Sequence, residues 1–199
     1  MKPPGIRQQG LTLIELVIFI VLVSVAFSAL HLAINQFTRH SSDPLLQKQA
    51  LAIAESLLDE VELMPFTYCD PDDSVAATAT STASCTGGAG ASEDGLGVGT
   101  APCTIGPESG ESRYSTSTPF DNVSDYCGFS MSGIKPIYDA STPIPGLENY
   151  SASVSVTQAG LGAIAASDAL RITVTVTDPT GATLSLDGYR TRYSPTTAQ

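Results

Sequence analysis

Residues 10–34 read GLTLIELVIFIVLVSVAFSALHLAI, and the rest of the chain is organised around this stretch. From residue 16 to residue 34 the side chains are apolar except for Ser24, Ser28 and His31. At the rise of an α-helix, such a run is about 28 Å long, which matches the hydrocarbon core of a bilayer. We therefore predict a membrane-spanning helix near the start of the chain.

Charged residues around this stretch predict its orientation. Lys2 and Arg7 precede it, and the first ten residues contain no acid. Basic residues stay on the cytoplasmic side, so the remainder of the chain should lie outside the cytoplasm. Glu15 stands at the entrance to the apolar run, where a carboxylate is costly in lipid and usually has a function.

Two simpler interpretations of this stretch compete. One is a secretory signal peptide with a small-residue cleavage site at Ser24-Val25-Ala26, although the apolar run continues for eight more residues beyond that site. The other is a plain single-pass anchor, which explains the length and the orientation. The anchor gives no role to Gly10 or Glu15.

The segment Gly10-Leu11-Thr12-Leu13-Ile14-Glu15, after a short basic leader, resembles the type IV prepilin motif, which usually has phenylalanine in place of Leu11. The resemblance implies that an inner-membrane prepilin peptidase cuts after Gly10 and methylates the new terminal residue, Leu11. It also implies that Glu15 serves filament assembly. A carboxylate buried among apolar helices needs a partner, and the amino terminus of a neighbouring subunit would supply one.

Composition limits the other classes of function. The chain has 199 residues and a formal net charge of −11, and the basic residues beyond Lys48 are scattered. Nucleic acid is therefore not an expected partner. A local basic patch formed by Arg171, Arg190 and Arg192 stays open, with surface arginines in ion pairs as the simpler alternative.

Four cysteines follow the apolar run: Cys69, Cys85, Cys103 and Cys127. An even number in a chain exported from the cytoplasm favours two disulfides, and the sequence leaves all three connectivities open. The spacings match no zinc site, so we expect no metal.

A second helical segment should follow the apolar helix. Asp43 and Pro44 resemble a helix start, and a proline disfavours helix at the residue before it, so we expect a kink or break near residues 41–43. An apolar stripe then recurs every three or four residues: Leu46, Ala50, Ile53, Leu57, Val61 and Met64. We expect this stripe to cover a sheet, and the other faces to carry the polar residues Gln47, Lys48, Glu55, Asp59, Glu60 and Glu62.

The last third of the sequence predicts an antiparallel sheet. Alternating apolar and hydroxyl residues indicate strands near 150–157 and 170–177, and Asp178-Pro179-Thr180-Gly181 fits a type I turn into a third strand. Tyr189 and Tyr193 have the opposite parity to Leu184 and Leu186, so we expect a β-bulge at Asp187-Gly188. The fold class is α+β, with a long N-terminal helix against this sheet.

Residues 66–146 predict a loop-rich region in which disulfides replace a core. The acids Asp70, Asp72 and Asp73 suggest either calcium or, more simply, a solvated turn, since a binding-loop glycine and a terminal glutamate are missing. The densest polar group is Glu108, Glu111, Arg113, Asp121 and Asp125. It is either a ligand site or a set of side chains that pair with one another and cap a short helix near residues 120–126.

No enzyme and no cofactor are expected. Both histidines, His31 and His40, belong to the membrane segment and its edge, so the globular part offers none for a catalytic triad. No glycine-rich phosphate-binding loop follows a strand.

Further segments, at residues 42–47, 106–113, 120–126 and 188–190, are similar to the D-type minor pilins of the mannose-sensitive haemagglutinin pilus. This resemblance implies a pilin-like fold and a minor subunit for pilus assembly or initiation. The chain would divide into a leader (1–10), an assembly helix (11–40), an amphipathic helix (41–65), a stapled loop region (66–146) and a sheet (147–199).

The implied partners are the inner membrane, the prepilin peptidase and other pilins of a Gram-negative cell surface. The alternatives are a minor pseudopilin of type II secretion and a pilus-tip adhesin whose 66–146 region contacts a glycan.

Overall fold

The computed structural model describes residues 12–86, 106–107 and 110–196, with only the backbone at residues 33 and 35–43. Gly10, Leu11, Cys103 and Glu108 lie outside the described residues. In chain order the main elements are one helix, α1 (Leu13–Leu63), and four strands, β1 (Ser130–Ser132), β2 (Ser151–Gln158), β3 (Ala169–Thr177) and β4 (Thr183–Thr191). This arrangement confirms the α+β class.

Helix α1 continues through Pro44, so of the two expected alternatives at residues 41–43, a kink or a break, the break was wrong. A proline inside a helix removes one backbone hydrogen bond and crowds the preceding turn, but that cost is local. The leucines, alanines and long polar side chains that follow are good helix formers. The chain divides into two compact units between Leu45 and Leu46, close to the predicted boundary.

The second unit is built around the predicted apolar stripe. Ala50, Ile53, Leu57 and Val61 are all buried, and Leu46 and Met64 pack against the same core at its ends. Helix α1 ends at Leu63, just before Pro65, which cannot donate the next backbone hydrogen bond. The stripe therefore covers the sheet as the periodicity predicted.

The sheet is antiparallel with the strand order β1-β2-β3-β4. Its inner face carries the alternating apolar residues predicted from the sequence, with Val154, Ile172 and Val174 fully or almost fully buried. Strand β1 was not predicted, because only three residues pair and only Met131 among them is buried.

The expected β-bulge at Asp187-Gly188 is absent, so that prediction was wrong. Strands β3 and β4 pair one to one along their whole length, and Gly188 lies opposite Ile172. A side chain at Gly188 would collide with Glu62 Oε1 and approach Leu58 Cδ1 to 2.9 Å. The glycine therefore lets α1 approach β4 closely, while Tyr189 simply lies on the exposed face.

The predicted turn between β3 and β4 is confirmed. The backbone N–H of Gly181 donates to the carbonyl of Asp178 at 3.0 Å, and Gly181 has a φ of +88°, which favours glycine. One carboxylate oxygen of Asp178 also accepts from the N–H groups of Thr180, at 2.8 Å, and Ala182, at 3.0 Å. These bonds fix the turn.

Candidate functional site

The N-terminal part of α1 exposes a continuous apolar surface. A 20-residue span, Leu13–Leu32, has a mean hydropathy of 2.8, and none of it is buried within the chain. Leu13 is 82% exposed and Phe27 is 70% exposed. A water-soluble protein rarely leaves such an area uncovered. The helix is long and apolar enough to cross a membrane, which is compatible with single-pass anchoring.

The hydroxyl groups within this span are satisfied by the helix itself. Ser24 Oγ donates to the carbonyl of Ile20 at 2.7 Å, and Ser28 Oγ donates to the carbonyl of Ser24 at 2.8 Å. Internal hydrogen bonds of this kind remove the cost of placing a hydroxyl in lipid. The serines that interrupt the apolar run are therefore compatible with a bilayer.

Glu15 lies in the first turn of α1 and is exposed. The hydroxyl of Thr12 accepts from the backbone N–H of Glu15 at 3.4 Å. Thr12 and Glu15 therefore have the spacing of a capping box, in which glutamate or glutamine is preferred three residues after the cap. This local role is a second explanation for Glu15. The proposed cleavage site between Gly10 and Leu11 lies outside the described residues.

The loop region contains a disulfide, as predicted. Cys69 and Cys85 form a disulfide with a Cα–Cα distance of 5.4 Å. Ala76 and Ala79 are buried beside it in a small core of their own. Cys127 is also disulfide-bonded, and Cys103 lies outside the described residues.

Asp73 joins the two ends of this stapled loop. Its carboxylate accepts from the Thr86 hydroxyl at 2.6 Å, the Thr86 N–H at 2.7 Å and the Val75 N–H at 3.0 Å. These bonds, led by the Thr86 hydroxyl, lower the pKa of Asp73 below its ordinary value. Asp73 is therefore committed to loop structure, and the two cysteine sulfurs near it are committed to the disulfide.

The structure groups the acidic residues differently from the calcium hypothesis. Asp70 does not share a site with Asp72 and Asp73; one of its carboxylate oxygens caps the N–H of Asp72 at 2.6 Å. Asp70 instead lies with Glu111 and Asp121, and one oxygen from each falls within 4.8 Å of the other two. Glu111 and Asp121 belong to the polar group noted in the sequence, but Asp70 comes from a distant segment, so sequence spacing gave no signal that it joins them.

The predicted polar group around residues 108–125 separates into distinct roles. A short 3-10 helix, Val123–Tyr126, is present as predicted, and Asp125 Oδ2 accepts from the N–H groups of Asp121 and Asn122 at 2.9 and 2.8 Å. Arg113 does not pair with these acids among the described contacts. The capping interpretation is confirmed for Asp125, whereas the described partner of Arg113 is on α1.

Arg113 forms a bidentate ion pair with Glu60 on α1. Its Nε and Nη2 donate to the two carboxylate oxygens at 2.7 and 2.8 Å, and its Nη1 donates to the carbonyl of Lys135 at 3.0 Å. The Tyr126 hydroxyl donates to the same carboxylate at 2.8 Å. Burial and the nearby Glu60 carboxylate raise the pKa of Tyr126 well above its ordinary value.

The sequence placed Glu60 on a face of the helix other than the apolar stripe, and gave no indication that this side chain would be largely buried. Its side chain is only 12% exposed. Burial lowers the pKa of the Arg113 guanidinium, but the hydrogen bonds and charge of Glu60 outweigh it, so the pKa is raised overall. A glutamate at this helical position carries no sequence signal for a partner 53 residues away.

Two of the three C-terminal arginines contact aromatic rings of the chain itself. The guanidinium of Arg192 lies 3.9 Å from the ring centroid of Phe66 and 4.9 Å from that of Tyr68, and its Nη1 donates to the carbonyl of Ser167. Arg190 lies over the Tyr193 ring. Arg192 therefore stabilises the C-terminal strand against the segment after α1, and is not available to a polyanion.

The chain matches no protein-family model, no curated protein and no solved structure in the comparisons made.

Proposed function

We propose that this chain is a minor pilin of the type IV pilus family, a structural subunit that enters a filament or its initiating complex through its N-terminal helix. The observation that carries the proposal is the wholly exposed apolar span of α1, with one carboxylate, Glu15, in its first turn. The resemblance of residues 10–15 to the prepilin motif supports the same function.

The exposed span needs two successive environments in this account. Before assembly it lies in the inner membrane, with the compact second unit in the periplasm. After cleavage behind Gly10, it packs among the equivalent helices of other subunits. An apolar helix with internally bonded serines is stable in both surroundings, because neither requires it to meet water.

Glu15 sets the axial position of the subunit in this account. Burying its carboxylate without a partner costs on the order of 1–3 kcal/mol or more. The positive amino terminus of a neighbouring Leu11, present only after cleavage, offsets that cost. Subunits that are uncut or out of register leave the charge unpaired and are rejected.

The segments similar to the mannose-sensitive haemagglutinin minor pilins favour a pilus over a secretion pseudopilus. A type II secretion pseudopilin would use the same N-terminal helix and the same Glu15. Identification of the filament from which the subunit is recovered separates the two. A tip adhesin remains a third function, tested by glycan-array binding of the full chain in detergent.

Substitution of Glu15 by glutamine tests whether Glu15 acts in filament assembly or only caps the helix. Glutamine can serve at this position of a capping box as glutamate does, but it loses the charge. We expect Glu15→Gln to insert and be cleaved normally, and to be lost from sheared pili. Glu55→Gln, an exposed carboxylate farther along α1, is the matched control and should enter pili normally.

The measurement is the amount of cleaved subunit in the membrane and in the sheared filament fraction for each variant. If Glu15→Gln enters pili at the wild-type level while Glu15→Ala does not, Glu15 acts as a cap. A loss of cleavage would assign Glu15 to recognition by the peptidase instead.

A further inference from the structure

His31 is the one ionisable side chain between Leu16 and Ile34, the apolar part of α1. It is exposed, and none of the residues that the structure describes forms a hydrogen bond with its ring. The next charged residue, Arg39, is eight residues farther on, so at the helical rise His31 lies about 12 Å inside that end of the span. An ionisable group at such a depth usually faces another protein group and marks a functional contact.

The other two polar residues of this run, Ser24 and Ser28, lie on the same face of α1 as His31. Steps of four and three residues separate the three positions, so at 3.6 residues per turn they fall within an arc of about 60°. All three side chains are exposed. The polar groups of the run therefore form one line along an otherwise apolar helix. We call Ser24, Ser28 and His31 the serine–histidine stripe.

The serine–histidine stripe has the composition of a helix–helix contact in a membrane. Small side chains let two backbones approach closely, and hydroxyl and imidazole groups form hydrogen bonds across such contacts. Ser24 and Ser28 already donate to carbonyls of α1 itself, so neither hydroxyl needs a second helix. The ring of His31 does need one, because lipid offers it no hydrogen-bond partner.

A second copy of this chain supplies the missing partner at the correct depth. Two copies that insert with the same orientation carry the same residue at the same depth, so a parallel pair brings the two His31 rings together. One neutral imidazole then donates its N–H, and the other accepts on its unprotonated nitrogen. Steps of four and three residues are also the spacing of the contact line between two helices of a left-handed pair.

Glu15 lies on the opposite side of α1 from the serine–histidine stripe. Nine residues separate Glu15 from Ser24, which corresponds to a rotation of about 180° around the helix. The carboxylates of two copies paired through the stripe therefore point away from each other. The face that carries Glu15 stays outside this pair, where it is accessible to a neighbour in a filament.

We propose that two copies of this chain pair in parallel in the membrane through the serine–histidine stripe, with a hydrogen bond between their His31 rings. The inference rests on the membrane position of α1 in the proposed function. It concerns a different face of the helix and a stage before assembly, and it holds whether or not the leader is cleaved. Subunits would then wait in the membrane as pairs, with Glu15 of each copy on the outer side of the pair.

Cysteine crosslinking of the full chain in native membranes tests the pair. Ser28→Cys places a thiol in the stripe, and Ala26→Cys places one on the opposite face as the matched control. The membranes come from cells without prepilin peptidase, so filament contacts do not contribute, and two copies with tags of different length are expressed together. After mild oxidation, we expect linked dimers of both tags from Ser28→Cys, and none from Ala26→Cys or from the chain without an added cysteine.

Substitution of His31 in the Ser28→Cys chain tests the hydrogen bond itself. His31→Leu makes the span more apolar, so the chain should stay in the membrane, while the dimer yield should fall about threefold or more. His31→Gln keeps a donor and an acceptor at the same depth, so its yield should stay near that of the parent chain. Resistance to extraction by alkaline carbonate is measured for each variant to show that it is inserted.

Equal dimer yields from Ser28→Cys and Ala26→Cys would overturn the proposal, because they indicate random collision. So would a yield that His31→Leu leaves unchanged, or crosslinks from Ser28→Cys only to a different membrane protein. Inserted chain without dimers specific to the stripe contradicts the pairing alone. Chain that carbonate extracts contradicts the membrane position and the pairing together, and chain that pairs but never enters pili contradicts the proposed pilin function alone.

Discussion

Glu60 and Arg113 lie 53 residues apart in the sequence, and their side chains form a bidentate ion pair with N–O distances of 2.7 and 2.8 Å. Arg113 is 6% exposed, so the pair is largely removed from water. It connects α1 to the loop that also contributes the rings of Tyr114 and Phe120 to an aromatic cluster. The same guanidinium donates to the carbonyl of Lys135, so Arg113 connects the helix both to its own loop and to the segment around Lys135.

Removal of one member of this pair should destabilise the second unit strongly. Glu60→Gln or Arg113→Met leaves a buried charge without its partner, which typically costs about 3–5 kcal/mol. The double variant Glu60→Leu with Arg113→Met removes both charges and should be closer to the wild type than either single variant. Urea unfolding of the fragment 41–199 measures this, and additive losses in the double variant would contradict the account.

The ion pair also shows where sequence reasoning stopped. The apolar stripe of α1 repeats every three or four residues, so its buried face was predicted down to individual side chains. Glu60 lies beside that stripe and its burial was not predicted, because its partner is brought to it only by the folded loop. Glu111 and Asp121 were grouped from the sequence, but the addition of Asp70 to them escaped prediction for the same reason.

We predict a disulfide between Cys103 and Cys127. Cys69 pairs with Cys85, so Cys103 is the remaining partner for Cys127 among the four cysteines of the chain. Peptide mapping of the unreduced full chain should recover residues 103 and 127 in one linked pair, with no free thiol. Free thiols, or a link from Cys127 to any other cysteine, would disprove it.

Loss of the described disulfide should also be measurable. Cys69→Ser with Cys85→Ser opens a loop with a sequence separation of 16 residues, and a loop of that size is worth about 3 kcal/mol in the chain-entropy model. Because the small core around Ala76 and Ala79 depends on this closure, protease cuts should appear first between residues 66 and 86. Cuts that appear first in β2–β4 would contradict this order.

Acid should weaken the β3–β4 turn. The Thr180 hydroxyl, followed by backbone N–H groups, lowers the pKa of Asp178 below its ordinary value of 3.8. Folding therefore favours the charged carboxylate of Asp178. Its stabilising effect is present above pH 3.8 and is lost as the pH falls through the lowered pKa.

Variants at this turn check the sign of the effect. Asp178→Asn should lower the melting temperature of the 41–199 fragment at pH 7, and its difference from the wild type should shrink below pH 3.8. Thr180→Ala removes the largest cause of the pKa shift and should reduce the pH dependence. A difference that grows on acidification would show the sign to be wrong.

Most of the sheet, in contrast, could be predicted from the sequence. Alternation of apolar and hydroxyl residues predicted β2, β3 and β4, because inward positions repeat every second residue and the core demands them. The reason for Gly188 could not be read in the same way. A glycine is needed at this position because Glu62 and Leu58 of α1 approach it closely. The parity of the flanking residues was wrongly interpreted as a β-bulge.

The N-terminal helix is predicted by composition, whereas the function we propose for it depends on processing. Substitution of Gly10 by a bulky charged residue, as in Gly10→Glu, should leave uncut precursor in the inner membrane if the peptidase recognises this site. Gly10→Ala should be cut at least in part. Membrane fractions compared by gel mobility provide the readout, and normal cleavage of Gly10→Glu would place the processing site elsewhere.

The most direct test of the central claim is the mass of the N-terminal peptide of the protein recovered from Gram-negative cells that contain a prepilin peptidase. The account predicts a mature chain that begins at Leu11 with a methyl group on its amino nitrogen, and a precursor that keeps residues 1–10 in cells without the peptidase. A chain that begins at Phe27 would support signal-peptide cleavage, and a chain that keeps residues 1–10 despite the peptidase would make α1 a plain anchor; either result would contradict the assignment as a pilin.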